Sequence, residues 1–360
     1  MTKKGASVII SEQNIINTYN KWQQDQSELY YDYKKIKQEN PKFGHKRIAT
    51  LLNQPHHKTR WWHEKNRSPV PIQTVNWLKE KNLIPLTEDN PNLPLIAKLL
   101  GAAFGDGGIF RNLNAIFLSS SELEAVKAFG EDLKKVFGNE IEENSRIIEG
   151  GEWGHSWCYQ NTNRNVIRFF QALGAPIGDK GKIELIVPEW ILKSDKKVKD
   201  EFFGSIIGGE IGIPKAHKNS LDCFSLGITG KNDLAQNRTS FLNYIAAYLN
   251  ENFVNTGKIS INDEGHKNRE GEPTKTYKLL ISTEFENVVN FMTLTKINYC
   301  IYKKAKLVNT MNEFSEIKRQ RVSELFEEGK TEEKIMNILS LSPASLYIIK
   351  NHEDFNDVYN

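Results

Sequence analysis

The 360-residue sequence is poor in cysteine. Cys158, Cys223 and Cys300 are scattered, so they make neither a disulfide framework nor a CxxC zinc or redox motif. A reducing cytoplasm is the fitting compartment. Long apolar runs are also missing. Nothing approaches the ~18–20 residues that span a bilayer, and MTKKGASVIISEQN lacks the apolar core of a secretory leader, so no membrane partner is expected. His155 with Cys158, and His56, His57 and His63, lack the ligand spacing of a zinc site. FGDGGIF has no GK[ST], and no GxGxxG opens a helix after a strand, which excludes the common nucleotide-binding loops. No splicing-type nucleophile stands at the start and no His-Asn at the end, so a free-standing protein is expected rather than a self-splicing one.

Net charge is small, +3, but unevenly placed. Residues 1–87 hold 15 Lys/Arg against 7 Asp/Glu, whereas the rest of the chain holds 33 against 38. A basic front end implies a polyanionic partner. Within it, Asn14–Gln38 reads as one long polar helix bearing Tyr19, Trp22, Tyr30, Tyr31 and Tyr33. Lys46–Asn53 reads as a short amphipathic helix with Ile48, Leu51 and Leu52 inward. Gln54-Pro55-His56 is a turn, and His57–Lys65 is a second helix carrying Lys58, Arg60, Trp61 and Lys65. Two short helices about a tight turn, the second one basic, form a helix-turn-helix expected to bind DNA through Lys58, Arg60 and Lys65. Leu83–Leu93 is Pro-rich and polar, a linker.

Two later stretches echo each other. In LPLIAKLLGAAFGDGGI a helix over 94–104 turns Leu95, Leu99 and Leu100 to a core, then thins through Gly101, Ala102, Ala103 and Gly105 before Asp106. An interior Gly costs a helix roughly 1 kcal/mol relative to Ala, so this thinning makes sense where another backbone approaches closely. A carboxylate at a helix C-terminus sits in the negative end of the dipole, which calls for a compensating cation. In EFFGSIIGGEIGIPK, Gly204, Ser205, Gly208 and Gly209 thin a second helix, and Glu210 stands where Asp106 stood. The interval from Ser205 to Glu210 equals that from Gly101 to Asp106. Side by side, such helices would bring both carboxylates to one end of one interface.

The elements between them repeat. Downstream of Asp106 come a hairpin about Asn112–Asn114, a helix Glu122–Phe137 capped by Ser121, a hairpin over 140–162 turning near Gly150–Gly154, and a helix Asn165–Leu173. A helical lead-in, Pro188–Ser194, precedes the second motif. Then follow a hairpin about Ile213–Ile228, a helix Leu234–Phe253, a long hairpin Lys258–Ser282 and a helix from Glu284. The fold class expected is α+β, two αββαββα halves at 88–192 and 193–311. A helix-turn-helix module (1–87) and a helical tail (312–360) flank them. Tyr299–Lys318 reads as the closing helix of the second half. The tail again reads as helix–turn–helix, with Gly329 stopping one helix and Ser342 capping the next. Residues 313–360 hold 6 Lys/Arg against 10 Asp/Glu, a poor balance for reading DNA.

LLGAAFGDG and FGSIIGGEI resemble the two signature helices of the LAGLIDADG homing endonucleases, in the single-chain form that carries both halves. Pro214, four residues after Glu210, and the lead-in IVPEWILKSDKKVKDEFFGS fit the same pattern. Phe104 and Gly208 stand where that family often has a further acidic residue. The resemblance implies a monomer with internal pseudo-two-fold symmetry, built as two saddle-shaped sheets on double-stranded DNA, that hydrolyses phosphodiesters with Mg²⁺ (Mn²⁺ as a substitute). Asp106 and Glu210 would be its metal ligands, beside Gly105 and Gly209, with one half's site cutting each strand. Lys278 is the candidate for orienting water in the second half and Gln160 its counterpart in the first; Lys215 is another candidate. The hairpins offer Arg111, Arg146, Lys215, Lys218, Lys258, Lys267, Arg269 and Lys275 to phosphates and bases. A non-cutting DNA-binding regulator and an RNA-binding splicing cofactor of the same fold are the competing expectations.

Overall fold

The computed structural model describes residues 7–65, 67–150, 155–217, 220–262, 267–268, 270–351 and 355–356. From the front, the chain forms β1 (Val8–Ile10), α1 (Glu12–Asn17), α2 (Lys21–Glu39), α3 (His45–Leu51), α4 (His56–Glu64), α5 (Val70–Glu80) and β2 (Leu86–Thr87). Next come α6 (Leu93–Phe104), β3 (Gly107–Ile109), β4 (Ile116–Ser120), α7 (Leu123–Phe137), β5 (Ser145–Glu149), β6 (Trp157–Asn161) and α8 (Arg164–Ala172). After α9 (Glu189–Lys193) follow α10 (Lys196–Glu210), β7 (Ile211–Gly212), β8 (Lys215–His217), β9 (Ser220–Asp222), β10 (Ser225–Lys231), α11 (Ala235–Glu251), β11 (Thr256–Asn262), β12 (Thr274–Ile281) and α12 (Phe285–Leu294). The end of the chain holds α13 (Ile301–Glu327), α14 (Glu332–Leu339) and α15 (Pro343–Lys350). Among the described residues no helix is long and apolar enough to cross a membrane.

These elements gather into two compact units: residues 1–91 with 162–175, and residues 92–161 with 176–360. In the first, α1, α5 and α8 share a core of Ile15, Ile16, Ile72, Val75, Leu78, Val166, Ile167, Phe169 and Phe170. A buried polar chain ties the same helices: the Tyr19 hydroxyl meets the Thr74 hydroxyl at 2.7 Å, and Thr74 donates to Asn165 Oδ1 at 2.6 Å. Helix α8, expected to close the first half, therefore packs with the front helices. The expected single helix over 14–38 is two, because Asn20 stops one and caps the next, its side chain accepting from the Gln23 amide. Where a helix-turn-helix was expected, two short helices form, α3 and α4, held together by the buried Thr59 hydroxyl donating to the His45 carbonyl at 3.0 Å. The expected linker over 83–93 contains β2, which pairs antiparallel with β1.

The second unit is α+β, with two four-stranded antiparallel sheets. One runs β3-β4-β6-β5 and the other β7-β10-β12-β11, so the order of strands within each segment is the same. The small β8–β9 hairpin is an insertion in the second that the sequence pattern does not mark. Helix α7 starts from Glu122 rather than from Ser121, and no side chain caps it. The closing helix and the first helix of the tail are one continuous α13, so the boundary expected at 311/312 falls inside it. Gly329, at φ +76°, ends the turn that follows, and the Ser342 side chain caps α15 as expected. The turn near 151–154 lies outside the described residues.

Candidate metal and nucleic-acid site

Helices α6 and α10 pack directly on one another, and glycine decides how closely. A Cβ on Gly101 would stand 2.1 Å from the Phe202 carbonyl oxygen, and one on Gly105 3.3 Å from that of Ser205. On α10 the glycines face elsewhere than their spacing implies. Gly204 and Gly208 admit the segment at Lys296–Asn298, where a Gly208 Cβ would meet the Asn298 carbonyl oxygen at 1.9 Å. Gly209 meets α6's exit: its Cβ would lie 3.1 Å from the Asp106 amide nitrogen and 3.2 Å from Asp106 Oδ2. The Asp106 carboxylate thus rests against the residue preceding Glu210.

The electrostatics of the pair follow from this closeness. Burial, reinforced by the neighbouring Asp106 charge, pushes the Glu210 carboxyl up to about 7, against the pull of Lys180 and Lys303. Asp106 keeps exposed surface, yet protein packed about its carboxyl raises its pKa too, again opposed by Lys303 and Lys180. Each lysine also closes a helix end. The Lys180 ammonium donates to the Phe104 carbonyl of α6 at 3.3 Å. The Lys303 ammonium donates to the Gly208 and Gly209 carbonyls of α10. A cation at a helix C-terminus is favourable where a carboxylate is not, so each unfavourable acid stands beside a compensating lysine. Sequence reasoning missed both lysines. The available signal was positional: each follows the last helix of its αββαββα segment, within the loop after α8 or at the start of α13.

Two neighbouring carboxylates of like charge are a hard-oxygen donor set of the kind that takes divalent cations. Among the described residues no three His, Cys, Asp or Glu side chains converge, so phosphate and water oxygens would complete the shell. Gly209 would contribute only through a carbonyl that Lys303 already engages.

Strand register places the remaining candidates. Gly108, Phe117, Gln160 and Arg146 form one row across the first sheet, and the Gln160 amide oxygen accepts from Arg146 Nε and Nη2 at 3.1 and 2.8 Å. In the second sheet Gly212, two residues after Glu210 as Gly108 is after Asp106, pairs with Ser225, and Ser225 with Leu280. The counterpart of Gln160 by register is thus Leu280. Lys278 lies two rows further along, in the row Gly227–Lys278–Ser260. Arg111 is exposed at the β3–β4 turn, lining a 680 Å³ hollow with Phe110 and Phe117. Lys215, Lys258 and Lys267 are exposed, and Lys275 is half-buried on β12. Lys218 and Arg269 lie outside the described residues. On α4, Lys58 is half-buried and Arg60 is held by Glu64 at 2.6 Å, while Lys65, just past its end, is exposed.

No protein-family model matches the chain. It is similar to the DNA-directed RNA polymerase subunit Rpo1N of Methanocaldococcus jannaschii, 28% identical over 216 residues that cover 56% of this chain and 16% of that protein. It is similar also to the tRNA-splicing ligase RtcB of the same organism, 29% identical over 293 residues that cover 74% of this chain and 29% of that one. The chain spans less than a third of either relative. A solved structure of I-DmoI in complex with DNA and Ca is similar at a TM-score of 0.35 and 16% identity, over 61% of this chain and 98% of that chain.

Proposed function

We propose that this chain is a metal-dependent, site-specific endonuclease of double-stranded DNA, of the LAGLIDADG kind. The observation that carries the reading is the convergence of Asp106 and Glu210 at the ends of two glycine-packed helices, each beside a lysine that closes its own helix end. The two sheets, alike in strand order, would form the saddle on which a duplex rests. The relatives fit the reading. A polymerase subunit and an RNA ligase share with this chain only a minor part of their lengths, so the common piece is a module and neither parent activity need travel with it.

In this reading Asp106 and Glu210 would hold Mg²⁺, with phosphate oxygens completing its shell. When bound, the ion would activate water and relieve charge at phosphorus. Lys180 and Lys303 keep the two helix ends closed around the carboxylates and contribute positive charge where the scissile phosphates gather. Lys58 and Lys65 would bind phosphates through the helix-turn-helix, and the exposed hairpin cations would do the same along the sheets.

The test is cleavage of a randomised duplex library with Mg²⁺ and with Mn²⁺. Asp106→Asn and Glu210→Gln should each abolish double-strand cutting while leaving affinity nearly intact. A wild-type protein that selects a defined site and cuts nothing with either ion would replace this reading with the non-cutting regulator.

A further inference from the structure

The front unit carries a cleft that the cutting site does not use. It encloses about 300 Å³ between α2, α4 and the segment leading into α5, and is lined chiefly by Trp22, Gln23, Trp61, Trp62, Arg67 and Pro69. Its floor is packed: Trp62 is buried, edge-on to Tyr30 at 5.5 Å and tilted against Tyr33 at 5.5 Å. Its walls are the opposite case. Trp22 is 68% exposed and Trp61 51% exposed, two indoles left in water on one hollow. Single exposed apolar residues are ordinary, but two tryptophans sharing a cavity mark a binding surface. The cations beside them select the ligand. The Arg67 guanidinium lies 5.5 Å from the Trp61 ring centre, and the Lys58 ammonium 5.9 Å from that of Trp62.

A flat apolar hollow rimmed by Arg and Lys, on a segment with an excess of basic residues, matches a ligand that is planar and aromatic at one end and anionic at the other. We propose that the cleft takes one unpaired nucleobase of a single strand, with the base against Trp22 and Trp61 and its flanking phosphates on Lys58 and Arg67. A base within a duplex hides its π-face in the stack, so the cleft would select unstacked nucleotides over paired ones. Stacking tolerates any base; Gln23, Gln26 and Gln73 also line the cleft, the Gln73 amide nitrogen donating to the Ser68 carbonyl at 2.7 Å. The inference rests on the nucleic-acid reading of this chain but not on cleavage.

The test titrates the full-length protein with a fluorescein-labelled oligothymidylate, reading anisotropy and tryptophan quenching. A strand with one abasic position and a proline-rich peptide are run in parallel. Trp22→Ala and Trp61→Ala should each weaken oligonucleotide binding about 5- to 150-fold, with Trp61→Phe retaining most of the affinity. Both tryptophans are exposed, so circular dichroism should be unchanged. Asp106→Asn and Glu210→Gln should bind the oligonucleotide as wild type does, which separates failure of this site from failure of the nuclease reading. Equal affinity in wild type and both alanine variants overturns the proposal. So does saturable binding of the peptide with none of the oligonucleotide.

Discussion

At Gly101 the requirement on the residue is steric. The Cβ of an alanine would overlap the Phe202 carbonyl, which belongs to a packed helix and cannot swing aside. Gly101→Ala should therefore destabilise the protein by about 3 kcal/mol in urea denaturation. Gly105→Ala, facing 3.3 Å, should cost markedly less. A second residue-scale case is Asp132, buried on α7 and accepting from Lys98, Lys135 and the Tyr299 hydroxyl. Burial would raise its pKa, but these partners outweigh burial and hold the carboxyl below its usual range. Because the folded value lies below the unfolded one, its stabilisation is complete above the unfolded pKa of about 4 and disappears as pH falls through the folded value. Asp132→Asn should cost about 3 kcal/mol at pH 7. The gap between wild type and variant should stay level down to pH ~5 and close below pH ~4; a gap that widens in acid would refute the assignment. Asp106 and Glu210 were legible because each sits in a local pattern with its glycines. Lys180 and Lys303 were not, since they reach the site from segments distant in sequence and nothing local distinguishes them from other lysines.

Among the elements, legibility followed how local the deciding interaction is. Helices α6, α7 and α11 carry their apolar pattern within their own letters, and their bounds fall within a residue or two of expectation although no side chain caps their N-termini. Asn20 breaks a helix whose composition is otherwise continuous, because its side chain offers the Gln23 amide a cap. Strand β2 has only two residues, and pairing with the distant β1 creates it, so its own letters read as linker. The expected counterparts Gln160 and Lys278 fall two positions out of register for a related reason: register depends on where the partner strand lies, and a shift of two residues keeps the face while changing the row. Where a cap is local, its energy is predictable. Asp195 caps α10, its carboxylate accepting from the Val198 amide at 3.0 Å. Asp195→Ala should lower stability by about 1 kcal/mol without changing the proposed cleavage at saturating Mg²⁺, since it acts at the far end of the helix from Glu210. A matched loss of turnover would mean that the helix end positions the carboxylate.

For the molecule as a whole, charge and folding units decide how the front module can be tested. Residues 1–87 hold the basic excess, so removing them looks like the direct way to ask whether the module binds DNA. The structure argues against that route. Helix α8 belongs to the same unit, and its Val166, Ile167, Phe169 and Phe170 are buried there. Deleting residues 1–87 would strip cover from four large apolar side chains while leaving α8 in the chain. The truncated protein should aggregate and bind a hydrophobic dye, whatever the module does on DNA. Charge removal at the surface asks the question cleanly. Lys65 is exposed and Lys58 half-buried, and neither holds the unit's core together. If both meet phosphates, Lys58→Ala with Lys65→Ala should leave thermal stability unchanged. The slope of log affinity for duplex DNA against log salt should then become shallower by about 1.8, near 0.9 for each phosphate no longer neutralised. Arg60→Ala should change the slope less, because Glu64 already neutralises that guanidinium at 2.6 Å. An unchanged slope in the double variant would show that α4 does not lie on DNA, and the basic front would then need a different polyanion to explain it.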